Sequence, residues 1–310
     1  MPVVAVAGGS GKLGRAIVNG IKQAGKFDVV VLGRQADDEK SKEIGAPIIT
    51  VDYNSPEAIT SVLEQHNVET LISALHGHSP AELELNLISG ADKSSTTSRY
   101  IPAIWGSKYP EDVAGLFPPA IDKLRYVKAL ESTSLEWTAV FNGLFLDFYG
   151  TGPNTPTYLN PLAIVFDLPN NIAAIPGSGD VPVTFTHTFD VGRFTAALLT
   201  KSKWEKESYV IGDKLTLNDF LRVAEEVKGT KFTVEHDPID KLRTGQATEL
   251  PSHPHLYAFV PKVAFQSMLS AFGIMFETGI LDFKSRTLND EFPDIKPTTV
   301  RELISDAYPA

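Results

Sequence analysis

The chain has 310 residues, enough to bury about three-quarters of its unfolded surface without staples. It has no cysteine, which excludes a disulfide framework, a thiolate metal site and a cysteine nucleophile. Its formal charge of −10, with no local cluster of Lys and Arg, argues against nucleic-acid binding.

The opening MPVVAV lacks a basic n-region and runs straight into a strand pattern, so no signal peptide is expected. No apolar run reaches the 18–20 or so residues of a membrane span, and the cytosol is the expected compartment.

In chain order, the apolar runs VVAVA (3–7), VVVL (29–32), PIITV (47–51), TLISAL (70–75), RYIPAI (99–104) and WTAVF (137–141) read as strands. Their hydrophobicity is continuous rather than alternating, as expected of strands covered on both faces. Helical patterns fall between them. In 12–24 the residues Leu13, Ile17, Ile21 and Ala24 recur at helical spacing. Residues 55–65 open with Ser55-Pro56-Glu57, and 79–91 with Ser79-Pro80, each read as a cap followed by a first-turn proline. Asp37 and Asp38 read as part of a polar loop. The β-α-β-α order predicts an α/β fold with a doubly wound parallel, Rossmann-like sheet.

Beyond about residue 145 the rhythm changes. Residues 150–182 are rich in Pro, Gly and Asn and predict only short ordered pieces. A helix is expected over 189–200, and Thr216 caps another that ends before Gly229. Residues 1–150 are thus read as a nucleotide-binding domain. Residues 151–310 are read as a smaller substrate lobe, with about 183–212 returning to the sheet.

The first strand leads into GGSGKLGR (8–15), with glycines at 8, 11 and 14. A glycine-rich turn into a helix is an anion site, because helix-start amides point outward and the dipole favours phosphate. In such a turn Gly8 permits the bend, Gly11 lets a pyrophosphate approach, and Gly14 lets helix and strand pack closely. The absence of GK[ST] rules out a Walker loop. The second strand ends in VLGRQ, where an acidic residue would bind a free ribose 2′-hydroxyl. Arg34 stands there instead and favours a 2′-phosphate, hence NADP(H).

GGSGKLGR, VLGR, RYIPAIWG and DKLRYVKALESTSLEWTAVFNGLF together resemble the NmrA-like and isoflavone-reductase-like branch of the atypical short-chain dehydrogenases. The likeness is specific in the first half and fades by about residue 230. It implies NADP(H) at the glycine turn, touching Gly8, Ser10, Gly11, Lys12, Leu13, Gly14, Arg34, Ala74 and Asn142. It also implies a lysine near the nicotinamide, on the helix before the sixth strand. By its spacing to Glu131 and ESTSLEWT, that lysine is Lys123.

Helical periodicity places Phe117, Ile121, Leu124 and Val127 on the core face, with Lys123 at its margin. Lysine half-desolvated in this way has a lowered pKa and can relay protons, whereas a snorkelling surface lysine does neither. Pro119 occupies the place of the tyrosine in Tyr-x-x-x-Lys, which leaves the proton donor open.

The loop IPAIWG carries Ala103, Ile104 and Trp105 where the family usually reads IPSEFG, implying a greasier pocket. His76, Trp105, Phe145, Tyr149 and His187 are candidate substrate contacts, each with a plain structural reading beside it. His76 and His78 lack a third metal ligand, and no metal is expected. The resemblance implies an NADPH-dependent reductase of a small aromatic or polyketide-like compound, working as a monomer or homodimer. A non-catalytic redox sensor and a cyclase or isomerase that retains the cofactor are the alternatives.

Overall fold

The computed structural model describes residues 1–75, 79–111, 115, 118–150, 152 and 154–309. The chain divides into two compact units. The first comprises residues 1–141, 188–210 and 286–295; the second comprises 142–187, 211–285 and 296–310.

The first unit is built on a six-stranded, wholly parallel sheet. Its strands are β1 (Val3–Ala7), β2 (Asp28–Gly33), β3 (Ile48–Thr50), β4 (Val68–Ser73), β5 (Arg99–Ile101) and β6 (Glu136–Trp137), in the order β3-β2-β1-β4-β5-β6. Val4 to Ala7 are essentially without solvent contact, as a strand covered on both faces requires. The reversal of order at β1 and β4 creates a crevice at the carboxyl edge, where open α/β sheets bind ligands.

Helices α1 (Lys12–Ala24), α2 (Asp38–Ile44), α3 (Pro56–Gln65) and α4 (Ala81–Lys93) connect the strands, and α5 (Pro118–Leu130) precedes β6. Ser55 caps α3 by accepting the Ala58 amide, and Pro56 is its first residue, as the sequence indicates. Three local expectations are corrected. Asp37 does not lie in a loop but caps α2, accepting the Lys40 amide. Ser79 caps nothing, because α4 starts after Pro80 with no side-chain bond at its first turn. β5 stops at Ile101 because Pro102 has no N–H to continue the ladder.

The expected strand 137–141 changes partner at Thr138. β6 pairs with β5, whereas β7 (Ala139–Phe141) pairs in parallel with a later segment, Glu207–Tyr209. That segment follows α6 (Thr188–Leu198), which packs along α1. The α1–α6 crossing is a backbone-to-backbone contact: a Cβ on Gly20 would strike the main chain of Gly192, and one on Gly192 the carbonyl of Ala16.

The second unit has short strands in two three-stranded sheets. Its core centres on Tyr149, Phe166, Phe185 and Phe220. Phe166 and Phe220 stack 4.3 Å apart, and Tyr149 approaches Phe220 at 5.0 Å. The helix α7 (Leu217–Lys228) carries Phe220. Thr216 caps it and left-handed Gly229 ends it, as the sequence predicts.

Candidate active site

The β1–α1 turn is shaped by its glycines. Gly8 has φ +73°, and a Cβ there would come within 2.7 Å of the Ala74 carbonyl. The main chains leaving β1 and β4 therefore lie against each other, and the Ala74 amide donates to the Ala7 carbonyl at 2.9 Å. A Cβ on Gly14 would run into the carbonyl of Gly8, so only glycine lets α1 start this close to the strand.

The start of α1 has no side-chain cap and no acidic residue in its first turn, in contrast to α2 and α3. Its positive dipole end and first-turn amides are left for an anion. Ser10 and Leu13 are partly exposed, and Gly11 and Lys12 are exposed. Arg34 is exposed directly after β2. Beneath that strand end the buried Tyr53 hydroxyl donates to the Leu32 carbonyl at 2.8 Å.

Lys123 falls between Ala120 and Tyr126 on the stripe of α5 that turns inward, and is itself half-buried. Ile121, expected in the core, is half exposed; Ala120, Tyr126 and Leu130 turn inward instead. A helix whose buried stripe runs at 120, 123, 126 and 130 leaves Ile121 on its far side. Phe117 is outside the described residues. The Lys123 ammonium donates to the Trp105 carbonyl at 2.5 Å and sits 5.0 Å from the centre of the Tyr109 ring. Among the described residues no carboxylate pairs with it. Burial brings its pKa down to about 8. With Leu75, Ser79, Glu84, Ala103 and Tyr126 it lines a recess at the ends of β4 and β5.

Trp105 is buried and its indole N–H donates to the Ser73 carbonyl at 2.9 Å, tying the loop after β5 to the end of β4. His76 and His78 lie outside the described residues. In the second unit, Asn142 is buried and donates to the Gly143 carbonyl at 3.2 Å. Phe145 meets Phe148 edge to face. His187 lies 3.4 Å from the buried Asp147 carboxylate, which also accepts from Thr157 at 2.6 Å. Tyr149 is a packing residue in the aromatic core, 2% exposed.

The structure thus gathers Gly8, Gly11, Gly14, Ala74 and Arg34 at the ends of β1, β2 and β4. Trp105 and Lys123 come together at the end of β5. The residue missed by sequence reasoning is Glu84. It falls in register with Leu87, Ile88 and Ala91 on the buried face of α4, and a carboxylate on an apolar stripe was the available signal.

The NmrA-like family pattern matches residues 2–303. The chain belongs to the NmrA-like family. The oxidoreductase BOA1 of Botryotinia fuckeliana is 34% identical, with 98% of each chain covered. The phenylcoumaran benzylic ether reductase TP7 of Nicotiana tabacum is 23% identical over 97% of each. This NmrA-like chain is an oxidoreductase by that kinship. In fold it is similar to the leucoanthocyanidin reductase–NADPH complex from Vitis vinifera, with a TM-score of 0.76, 18% identity and 99% of each chain covered.

Proposed function

We propose that this oxidoreductase binds NADP(H) at the β1–α1 turn and reduces a small aromatic or polyketide-like compound, with Lys123 assisting. The observation that carries the reading is a desolvated lysine, unpaired with any carboxylate among the described residues, at the same sheet edge as an uncapped glycine turn. In a parallel sheet the loops after β1, β2, β4 and β5 all leave at the carboxyl edge, so these groups face one crevice.

The turn fits a dinucleotide. The first-turn amides of α1 would hold the pyrophosphate, with no side chain at Gly8, Gly11 or Gly14 to obstruct it. Arg34 would take the 2′-phosphate through its planar fork of donors. The cofactor, when bound, supplies the hydride. The backbone junction of Gly8 and Ala74 would border the dinucleotide between β1 and β4. Lys123 spends one of its three N–H donors on Trp105, leaving two for a substrate heteroatom. With a pKa of about 8 it is an ammonium at neutral pH, able to polarise that atom or protonate it. The family likeness and the phenylcoumaran benzylic ether reductase relative support an aromatic substrate.

The test follows NADPH absorbance against a panel of aromatic enones, quinones and quinone-methide precursors. Lys123→Ala is expected to lower turnover at least 100-fold, while calorimetry finds NADPH affinity within about threefold of the parent. Turnover in the parent should fall as pH rises through about 8, where the ammonium loses its proton. Tight NADPH binding with no turnover of any compound would overturn the reductase reading in favour of a sensor.

A further inference from the structure

The Glu84 carboxyl is 2% exposed and carries three hydrogen bonds, all from neutral donors. Its Oε2 accepts the Ser73 hydroxyl at 2.5 Å. Its Oε1 accepts the Tyr100 hydroxyl and the Ala103 amide, each at 3.0 Å. Ser73 is the last residue of β4, Tyr100 is the middle of β5, and Ala103 is the second residue of the loop after it. One side chain on α4 therefore fastens two neighbouring strand ends and the loop between β5 and α5.

That loop carries the partner of Lys123. The Trp105 indole is bonded to the Ser73 carbonyl, and the Trp105 carbonyl receives the Lys123 ammonium. Gly106 follows at φ +109°, a conformation that side chains rarely adopt, so the carbonyl is held in a bend specific to this loop. From Glu84 to Lys123 the path is three hydrogen bonds through one buried ring: Glu84 to Ser73, Ser73 to Trp105, Trp105 to Lys123. A buried carboxyl without a cation is a costly choice for stability alone, since an apolar side chain fills such a place at less cost. Glu84 has no basic partner among the described residues. The titratable groups that face it are Tyr53, Tyr100 and Tyr126, with Asp122 and Lys123 lining the same recess, and burial raises its own pKa.

We propose that Glu84 is a positioning residue: by clamping Ser73, Tyr100 and Ala103 it fixes the Trp105 carbonyl and so sets where the Lys123 ammonium points. The inference rests on the assignment of Lys123 to the reaction. It adds that the lysine's orientation is determined from α4, across two strands.

The experiment measures the ionisation of Lys123 directly, by competitive acetic anhydride labelling across pH read by mass spectrometry, and needs no substrate. In the parent the midpoint is expected near 8. In Glu84→Ala the loop is released, Lys123 gains water, and the midpoint should rise by one unit or more toward that of an ordinary lysine. Glu84→Gln keeps the shape and the Oε1 acceptor, and the Ser73 hydroxyl can turn to accept from the new amide. It should restore the parent midpoint.

Removing a negative charge without moving the loop has the opposite sign, lowering the midpoint in both variants. That outcome, or an unchanged midpoint in Glu84→Ala, overturns the proposal. If Glu84→Ala does not fold, Tyr100→Phe and Ser73→Ala remove single donors with little change of volume. Each should then shift the midpoint upward by a smaller amount, and no shift in either overturns the proposal equally. Turnover separates this inference from its basis. Loss in Lys123→Ala with full turnover in Glu84→Ala defeats the positioning role alone. Full turnover in Lys123→Ala defeats the assignment on which it rests.

Discussion

The two units solve the same problem with different means. In the first, one continuous six-stranded parallel sheet sets the architecture, and one turn is left with bare, uncapped backbone. In the second, the strands are divided between two small sheets, and interlocking aromatic rings organise the core. A backbone-built unit can expose main-chain amides to a ligand without losing its frame. A unit built on side chains depends on every ring.

The contrast is most exposed at Phe220, which touches Tyr149, Phe166 and Phe185. Phe220→Ala is expected to destabilise the protein by about 3–5 kcal/mol in urea unfolding, the range for a buried phenylalanine. A loss under about 1 kcal/mol would break the claim that rings carry the second unit. In the first unit, Gly14→Ala puts a methyl group into the Gly8 carbonyl. NADPH affinity by calorimetry should fall at least 30-fold, about 2 kcal/mol. Arg34→Ala sharpens the picture: NADPH should weaken about tenfold while NADH binding changes less than twofold, and equal weakening of both would deny Arg34 the 2′-phosphate. The smallest effect is expected at an ordinary capped helix. Ser55→Ala removes the bond to the Ala58 amide, costing about 1 kcal/mol of stability with NADPH affinity unchanged.

What the sequence reveals follows the same division. Strands buried on both faces announce themselves as continuous apolar runs, so β1, β2 and β4 can be placed from the sequence pattern alone. The glycine turn is legible because its function is local: three positions within seven residues form the whole feature. The surroundings of Lys123 are not local. Its carbonyl partner is Trp105, Trp105 is held by Ser73, and Ser73 by Glu84, a circuit that joins two helices, a strand end and a loop. Periodicity marks Glu84 as out of place but cannot name its partners. The same limit explains Ile121. A 3.6-residue period finds an apolar stripe, yet the stripe that is buried depends on which neighbour the helix meets. In α5 a lysine occupies the inner stripe and an isoleucine the outer one. The second unit is the least readable, since contacts such as Phe166 with Phe220 join positions more than fifty residues apart.

The glycine-to-glycine seat between α1 and α6 bears on how the polypeptide is made. The helix whose first turn opens the crevice rests on residues 188–198, and these in turn pack against Leu288–Glu291, beside the Lys201–Glu291 ion pair. During synthesis the nascent N-terminal portion emerges with one side of its leading helix uncovered. It stays so until residues 188–198, more than 160 residues further along the chain, have been made.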